Sequence, residues 1–171
     1  LGSSLEPLHM RSLEVREKIQ GPSHPDVAQS LNNIATNLVY QGRYEEVEPL
    51  LNRSLEILET ALGIDHPVVA LILNNLAENL GKLGRYGEAE PIYMRSLEIR
   101  KKTLGSSHPD VAQSLSNIAG NLDSQGRYEE AEPLYSRSLE IREKVLGLAH
   151  PDVALDLNNI ARNHDYQGRY E

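Results

Sequence analysis

The chain has 171 residues, a net charge of −8 at pH 7, eight Tyr, and no Cys, Trp or Phe. Without Cys there is neither a disulfide frame nor a thiolate metal site. The negative charge disfavours nucleic acid and anionic membrane surfaces as partners. No apolar run approaches the roughly 18 residues of a membrane span, and the start, Leu1-Gly2-Ser3-Ser4, lacks the basic and apolar regions of a signal peptide. The absence of Cys suits a reducing compartment, so a cytoplasmic location is expected. A core of Leu, Ile, Val, Ala and some Tyr is thin for a compact globule but sufficient for a layered array, in which each unit touches only its neighbours.

Residues 1–4 fall outside the pattern that governs the rest. His-Pro occurs at His24, His66, His108 and His150, Gly-Arg-Tyr at Gly42, Gly84, Gly126 and Gly168, and Arg-Ser-Leu-Glu at Arg11, Arg53, Arg95 and Arg137, always 42 residues apart. Residues 21–62 and 105–146 are identical at 31 of 42 positions without a gap. Chance does not produce this, and the repeat is the unit of structure.

In chain order, residues 5–20 read as a lone second helix. The complete units 21–62, 63–104 and 105–146 follow, and then a lone first helix within 147–171. The order reads as a piece of something longer, one solenoid over residues 1–171. The first helix of a unit runs from Pro25 to Gln41, with Val27, Leu31, Ile34, Ala35 and Leu38 on one stripe. Pro25 suits the first helical position, Asp26 the positive end of the dipole, and Gly42 the stop. The second helix runs from Tyr44 to Leu62, with Val47, Leu50, Leu51, Leu55, Leu58 and Leu62 on its stripe. Pro49, Pro91 and Pro133 lie about one turn inside it, near the limit of tolerance. A helix with one apolar stripe must pack, first as an antiparallel hairpin and then against the next hairpin. The expected fold is all-α, a right-handed superhelical solenoid of antiparallel helix pairs.

In the third unit, Leu115-x2-Ile118-Ala119-x2-Leu122 followed by Ala131-x3-Tyr135 resembles the tetratricopeptide repeat (TPR) signature. Ala35, Ala77, Ala119 and Ala161 stand where that family needs close helix contact. The unit is longer than the family's usual length of about 34 residues, and the Pro that usually ends the second helix is absent. His-Pro-Asp-Val-Ala, Leu-Asn-Asn-Ile-Ala and Gly-Arg-Tyr-Glu-Glu-Ala-Glu-Pro-Leu-Tyr resemble the 42-residue repeats of kinesin light chains. The heptad region that joins such chains to a motor is not in this sequence. The resemblance implies a peptide- or cargo-binding array.

Asn33 and Asn37 are i and i+4 on the face opposite the apolar stripe, and they recur as Asn75 and Asn79, Asn117 and Asn121, Asn159 and Asn163. An amide offers donor and acceptor together and can pair with any peptide backbone. In TPR proteins an Asn nine residues before the turn Gly often contacts the bound peptide, which the resemblance carries to Asn33, Asn75, Asn117 and Asn159. The competing reading gives these amides to neighbouring repeats or water, as setters of geometry. Wall positions that differ between repeats are candidates for specificity: Thr36, Tyr40, Glu78, Lys82, Asp123, Arg162 and Tyr166. Drift on a solvated face is the competing account.

The four loop His residues are each alone and read as helix caps rather than metal ligands. Arg43, Arg85, Arg127 and Arg169 read as partners of helix-end carbonyls. No nucleophile elbow, zinc-binding helix or phosphate loop occurs, so no catalysis, cofactor or metal is expected. The function expected is a protein–protein interaction module holding a partner peptide or helix, with no nucleic-acid or membrane partner. The alternative is a structural, self-assembling scaffold without a dedicated ligand. Docking of one chain's start, with Leu8, Leu13 and Val15, onto another's last helix, with Val153, Leu157, Ile160 and Ala161, would complete a repeat head to tail.

Overall fold

The computed structural model describes residues 6–169, with the side chains of 7–169. Among them lie eight α-helices and no strand: α1 (Glu6–Gln20), α2 (Pro25–Tyr40), α3 (Val47–Leu62), α4 (Pro67–Lys82), α5 (Tyr86–Leu104), α6 (Pro109–Ser124), α7 (Tyr128–Leu146) and α8 (Pro151–Tyr166). By internal contacts the chain divides into two compact units, residues 1–85 and 86–171.

In the first unit α1 packs on α2, α2 on α3 and α3 on α4. The buried stripe of α2 is the one its spacing predicts, and it meets Val47, Leu51, Ile57 and Leu58 of α3. The α3 stripe is rotated slightly from expectation: Ile57 is buried while Leu62 is exposed. Close approach is secured by small residues. Buried Ser54 sends its hydroxyl to the carbonyl of Ala28 at 2.9 Å, which satisfies the hydroxyl and leaves room for the helices to touch. In the second unit α5 packs on α6, α6 on α7 and α7 on α8. Ser138 repeats the Ser54 contact, donating to Ala112 at 2.9 Å.

The helix ends show why the punctuation repeats. Each loop His accepts, through Nδ1, the backbone N–H two residues on, at 3.1–3.3 Å, and is followed by Pro at the first helical position. This is an N-cap built from imidazole in place of the usual hydroxyl or carboxylate. At the other end Gly42 turns at φ 75° and lets the Arg43 N–H reach back to the Leu38 carbonyl at 3.0 Å. A Cβ-bearing residue would be strained there. Helices α5 and α7 continue through Pro91 and Pro133. In the first unit the same stretch is a 3₁₀ turn over Tyr44–Glu46, and α3 starts only at Val47. Pro49 thus falls in the first turn of α3, where its missing N–H has no intrahelical acceptor to lose.

Candidate functional site

The eight asparagines separate into two kinds. Asn79 is buried and donates Nδ2 to the carbonyl of Tyr44 at 3.1 Å. Asn121 does the same to Tyr86 at 3.0 Å, and Asn163 to Tyr128 at 3.0 Å. This one bond, reaching 35 residues back, ties each first helix to the start of the preceding second helix. Asn37, whose counterpart partner lies before the described residues, is half-buried and accepts from Gln41. Burial and the commitment of each Nδ2 to the preceding second helix favour an inter-repeat role for Asn79, Asn121 and Asn163 over a peptide-contacting one, while Oδ1 of Asn79 and of Asn121 is buried with no partner.

The other column is more open. Asn33 is exposed and accepts from Gln29 at 2.9 Å. Asn75 is half-buried and donates Nδ2 to Asn32 Oδ1 at 2.9 Å. Asn117 accepts from Gln113 at 2.7 Å, and Asn159 accepts from Arg162 at 3.1 Å. These amides sit at the surface of the first helices with part of their hydrogen-bonding capacity exposed to solvent.

In the first unit, Thr36, Tyr40, Glu78 and Lys82 all border one cleft of about 210 Å³, together with Asn32, Ala35, Val39, Val47, Leu51, Asn75 and Asn79. Its floor is apolar, from Ala35, Val39, Val47 and Leu51, and its rim is polar. The rim carries one charge of each sign, Glu78 and Lys82. Thr36 is exposed, its hydroxyl donating to the Asn32 carbonyl one turn back at 2.9 Å. Glu78 accepts from Asn74 at 2.9 Å.

The corresponding place in the second unit is filled. Tyr135, two periods after the Leu51 register, is buried, and its hydroxyl donates to Asp123 Oδ2 at 3.0 Å. Asp123 also accepts from Asn163 at 2.7 Å. Burial pushes the Tyr135 phenol well above its ordinary range, the Asp123 carboxylate adds to the shift, and Arg162 opposes it. A Cβ on Gly120 would stand 3.6 Å from the Tyr135 hydroxyl, an ordinary contact. Tyr166 lies against Tyr128, ring centroids 5.1 Å apart. The sequence pointed to the rim of the cleft but missed its floor. The signal was present in register: Leu51 where the next two repeats have Tyr93 and Tyr135.

The arginines after the turn glycines bind carboxylates rather than helix-end carbonyls. Arg85 pairs with Glu48 at 2.5 Å, Arg127 with Glu90 at 2.6 Å and Arg169 with Glu132 at 2.7 Å. Each joins a first-helix end to the second helix before it through one charge-assisted Nη1 bond, while Arg127 also forks onto Glu130 through Nε and Nη2. Glu132 is held below its ordinary range by Gln167, with Arg169 and His164 assisting. His164, at the register of Leu38, is half-exposed with Nε2 3.2 Å from Glu132. Among the described residues, no cluster of three or more His, Cys, Asp or Glu is placed to hold a metal ion, and no helix is long and apolar enough to cross a membrane.

These features define helix-hairpin repeats with a polar wall. The tetratricopeptide repeat family model matches residues 6–60, 68–144 and 110–171. The chain belongs to the tetratricopeptide repeat family. Among solved structures it is similar to a kinesin light chain-type protein of Podosopora anserina with nearly identical TPR-like repeats. The identity there is 24% and the TM-score 0.86, over 99% of this chain and 80% of that one. It is also similar to BtubC (BKLC) from P. vanneervenii, at 23% identity and TM-score 0.88, over 99% of this chain and 67% of that one. The apo form of RapI matches at 21% identity and TM-score 0.79, over 94% of this chain and 57% of that one. At these identities the likeness speaks for the fold, an all-α solenoid of the TPR type. A search of curated proteins finds no match.

Proposed function

We propose that this chain binds an extended peptide or a helix of a partner protein along the surface of its first helices, without catalysis. TPR folds generally mediate protein–protein interactions. The finer reading assigns backbone contacts to Asn33, Asn75, Asn117 and Asn159, and choice of partner to Thr36, Tyr40, Glu78, Lys82, Asp123, Arg162 and Tyr166.

One observation carries it. Seven residues between 21 and 62 border the cleft, and six of them differ from their counterparts in 105–146. Of the other 35 positions only five differ. Drift on a solvated face would scatter differences over the exposed positions. Concentration at a concave site is the pattern of a surface that selects what it touches.

The test is affinity for peptides selected from a random-sequence display library against the 171-residue chain. Asn75→Ala and Asn117→Ala should each weaken binding about fivefold, one lost hydrogen bond of roughly 1 kcal/mol, with unchanged helicity. Unchanged affinity in both variants would refute the assignment.

The exposed apolar side of α8 supports self-association as a second reading. Leu155 and Leu157 are half-exposed, as are Leu8 and Val15 on α1, whereas Val153 and Leu13 are buried within the chain. Residues 6–20 repeat the α7 sequence that covers α6, so α1 of a second copy matches α8 as a partner. Light scattering across concentrations distinguishes this: a mass fixed at 19.1 kDa excludes it.

A further inference from the structure

We infer that the last turn of α4, residues 79–82 with its cap at Leu83, is a local opening element. It uncoils from the folded chain ahead of the matching turns of α2 and α6, and it makes one wall of the first unit's cleft adjustable. The opening is a property of the free chain. Only its use in recognition rests on the peptide-binding reading above.

The turn lacks what holds its counterparts shut. The residue that caps the C-terminus of α2, α6 and α8 is Gln41, Gln125 and Gln167, whereas at α4 it is Leu83. Each glutamine ties its turn down. Gln41 donates to Asn37 Oδ1 at 2.5 Å. Gln125 donates to Glu90 on the preceding second helix at 3.2 Å. Gln167 donates to Asn163 Oδ1 at 2.7 Å and to Glu132 at 3.3 Å. Leu83 has no side-chain donor for either bond, and Asn79 Oδ1 stays buried without a partner. Asn121 Oδ1 is unpartnered too, but there Gln125 holds Glu90. A buried acceptor without a donor loses its water and gains nothing, a cost that is relieved when the turn opens to solvent.

Two residues before its cap, α4 has Gly81 where α2, α6 and α8 have Val39, Asp123 and Asp165. A Cβ at Gly81 would meet nothing within 4 Å, so packing does not call for the glycine. Its effect is entropic, since glycine gains the most backbone freedom on uncoiling. The main-chain bonds are alike. The Arg85 N–H reaches the Leu80 carbonyl at 2.9 Å, and those of Arg43 and Arg127 reach Leu38 and Leu122 at 3.0 Å. The turns are thus matched in backbone bonding and unmatched in side-chain restraint. Asn79 and Lys82 lie on this turn and Glu78 one residue before it, and all three border the cleft. When the turn opens, Asn79 gives up the Tyr44 carbonyl and the cleft loses that wall. A bound segment touching these side chains favours the closed turn.

The test is native-state amide exchange of the 171-residue chain, read residue by residue. Arg43, Arg85 and Arg127 all follow a glycine, so their intrinsic rates match. The Arg85 N–H should exchange at least about tenfold faster than the other two, the result of one missing hydrogen bond and one helical glycine. Leu83→Gln and Gly81→Ala should each slow Arg85 about fivefold and leave Arg43 and Arg127 unchanged. Gln125→Leu should speed Arg127. Arg85 exchanging no faster than Arg43 and Arg127, or unmoved by both α4 variants, overturns the opening. A saturating peptide from the display selection should slow Arg85, and an unchanged rate overturns the link to the cleft. A selection that yields no binder removes the peptide-binding reading and with it the use of the turn in recognition, while the free-chain comparison still decides the opening.

Discussion

The buried pair Arg142–Asp156 offers a stability test whose controls the chain itself supplies. Arg142 Nη1 lies 2.7 Å from Asp156 Oδ1, with side-chain exposures of 1% and 0%. Asp156 also accepts from Ser138 at 2.7 Å and Ser116 at 3.3 Å, and Arg142 Nη2 donates to Gln113 at 2.7 Å. Arg142 Nε has no partner. At the same register the first unit has Arg16 on Ser30 at 3.0 Å and the apolar pair Leu58 and Ile72, and the second unit has Arg100 on Ser114 at 2.7 Å. Charge desolvation offsets most of the Coulombic gain of such a pair, while removing one partner strands the other. Arg142→Leu should therefore destabilise by about 3–5 kcal/mol, whereas R142L/D156I, which copies Leu58 and Ile72, should be neutral or stabilising by about 1–4 kcal/mol. Urea denaturation of the four corners of the cycle measures this. Burial raises the Asp156 carboxyl above 3.8 against the opposing effects of Ser138, Arg142 and Ser116. A raised acid pKa means that the folded state favours the proton, so the cost is absent below the unfolded value and complete above the folded one. The loss in Arg142→Leu should thus shrink as pH falls toward 3.8. A double variant as unstable as the single one, or a pH-independent loss, would refute the reasoning.

Two further outcomes follow from the repeat frame. His108→Ala should cost about 0.5–2 kcal/mol as a lost helix cap, and His108→Asn should recover most of it; thermal melts compare the two. Asn121→Ala should destabilise the fold by about 1–3 kcal/mol by leaving the Tyr86 carbonyl without its partner, while exposed Asn33→Ala stays within about 0.5 kcal/mol, as denaturant midpoints would show.

Much of the fold was legible because each repeat states the same local rules four times. Pro25 with its preceding His, Gly42, and the three-then-four spacing of Val27, Leu31 and Leu38 fix the start, stop and buried face of α2. The delayed start of α3 was not legible, since residues 44–46 are the same in sequence as 128–130, which are helical; only packing distinguishes them. Among the asparagines, spacing could place two columns but could not tell which was buried, because that depends on the previous repeat presenting the Tyr44 or Tyr128 carbonyl. The arginine partners were missed for the same reason. Arg85 and Glu48 are 37 residues apart, and only stacking of hairpins brings them together.

Near-identity of repeats would ordinarily argue for a scaffold without a ligand, since a selective site should vary along its length. The distribution of differences answers that objection. Residues that cap, turn or bridge repeats are constant: His24 and His108, Gly42 and Gly126, Ser54 and Ser138. Asn37 and Asn121, at the register that ties a first helix to the preceding repeat, are constant as well. Differences fall mainly at the cleft, as Asn32/Ser116, Thr36/Gly120, Val39/Asp123, Tyr40/Ser124, Val47/Ala131 and Leu51/Tyr135, and once at the buried inter-repeat pair, as Leu58/Arg142. An array whose geometry is held by its constant positions can vary these others at little structural cost. At the Leu51 register the chain holds Tyr93 and Tyr135, both buried, the first with Glu78 and Gly81 and the second with Gly120 and Asp123 at the registers of Thr36 and Val39, so these positions change independently of one another. Independent change at the cleft on a constant backbone makes a repetitive frame compatible with a selective site.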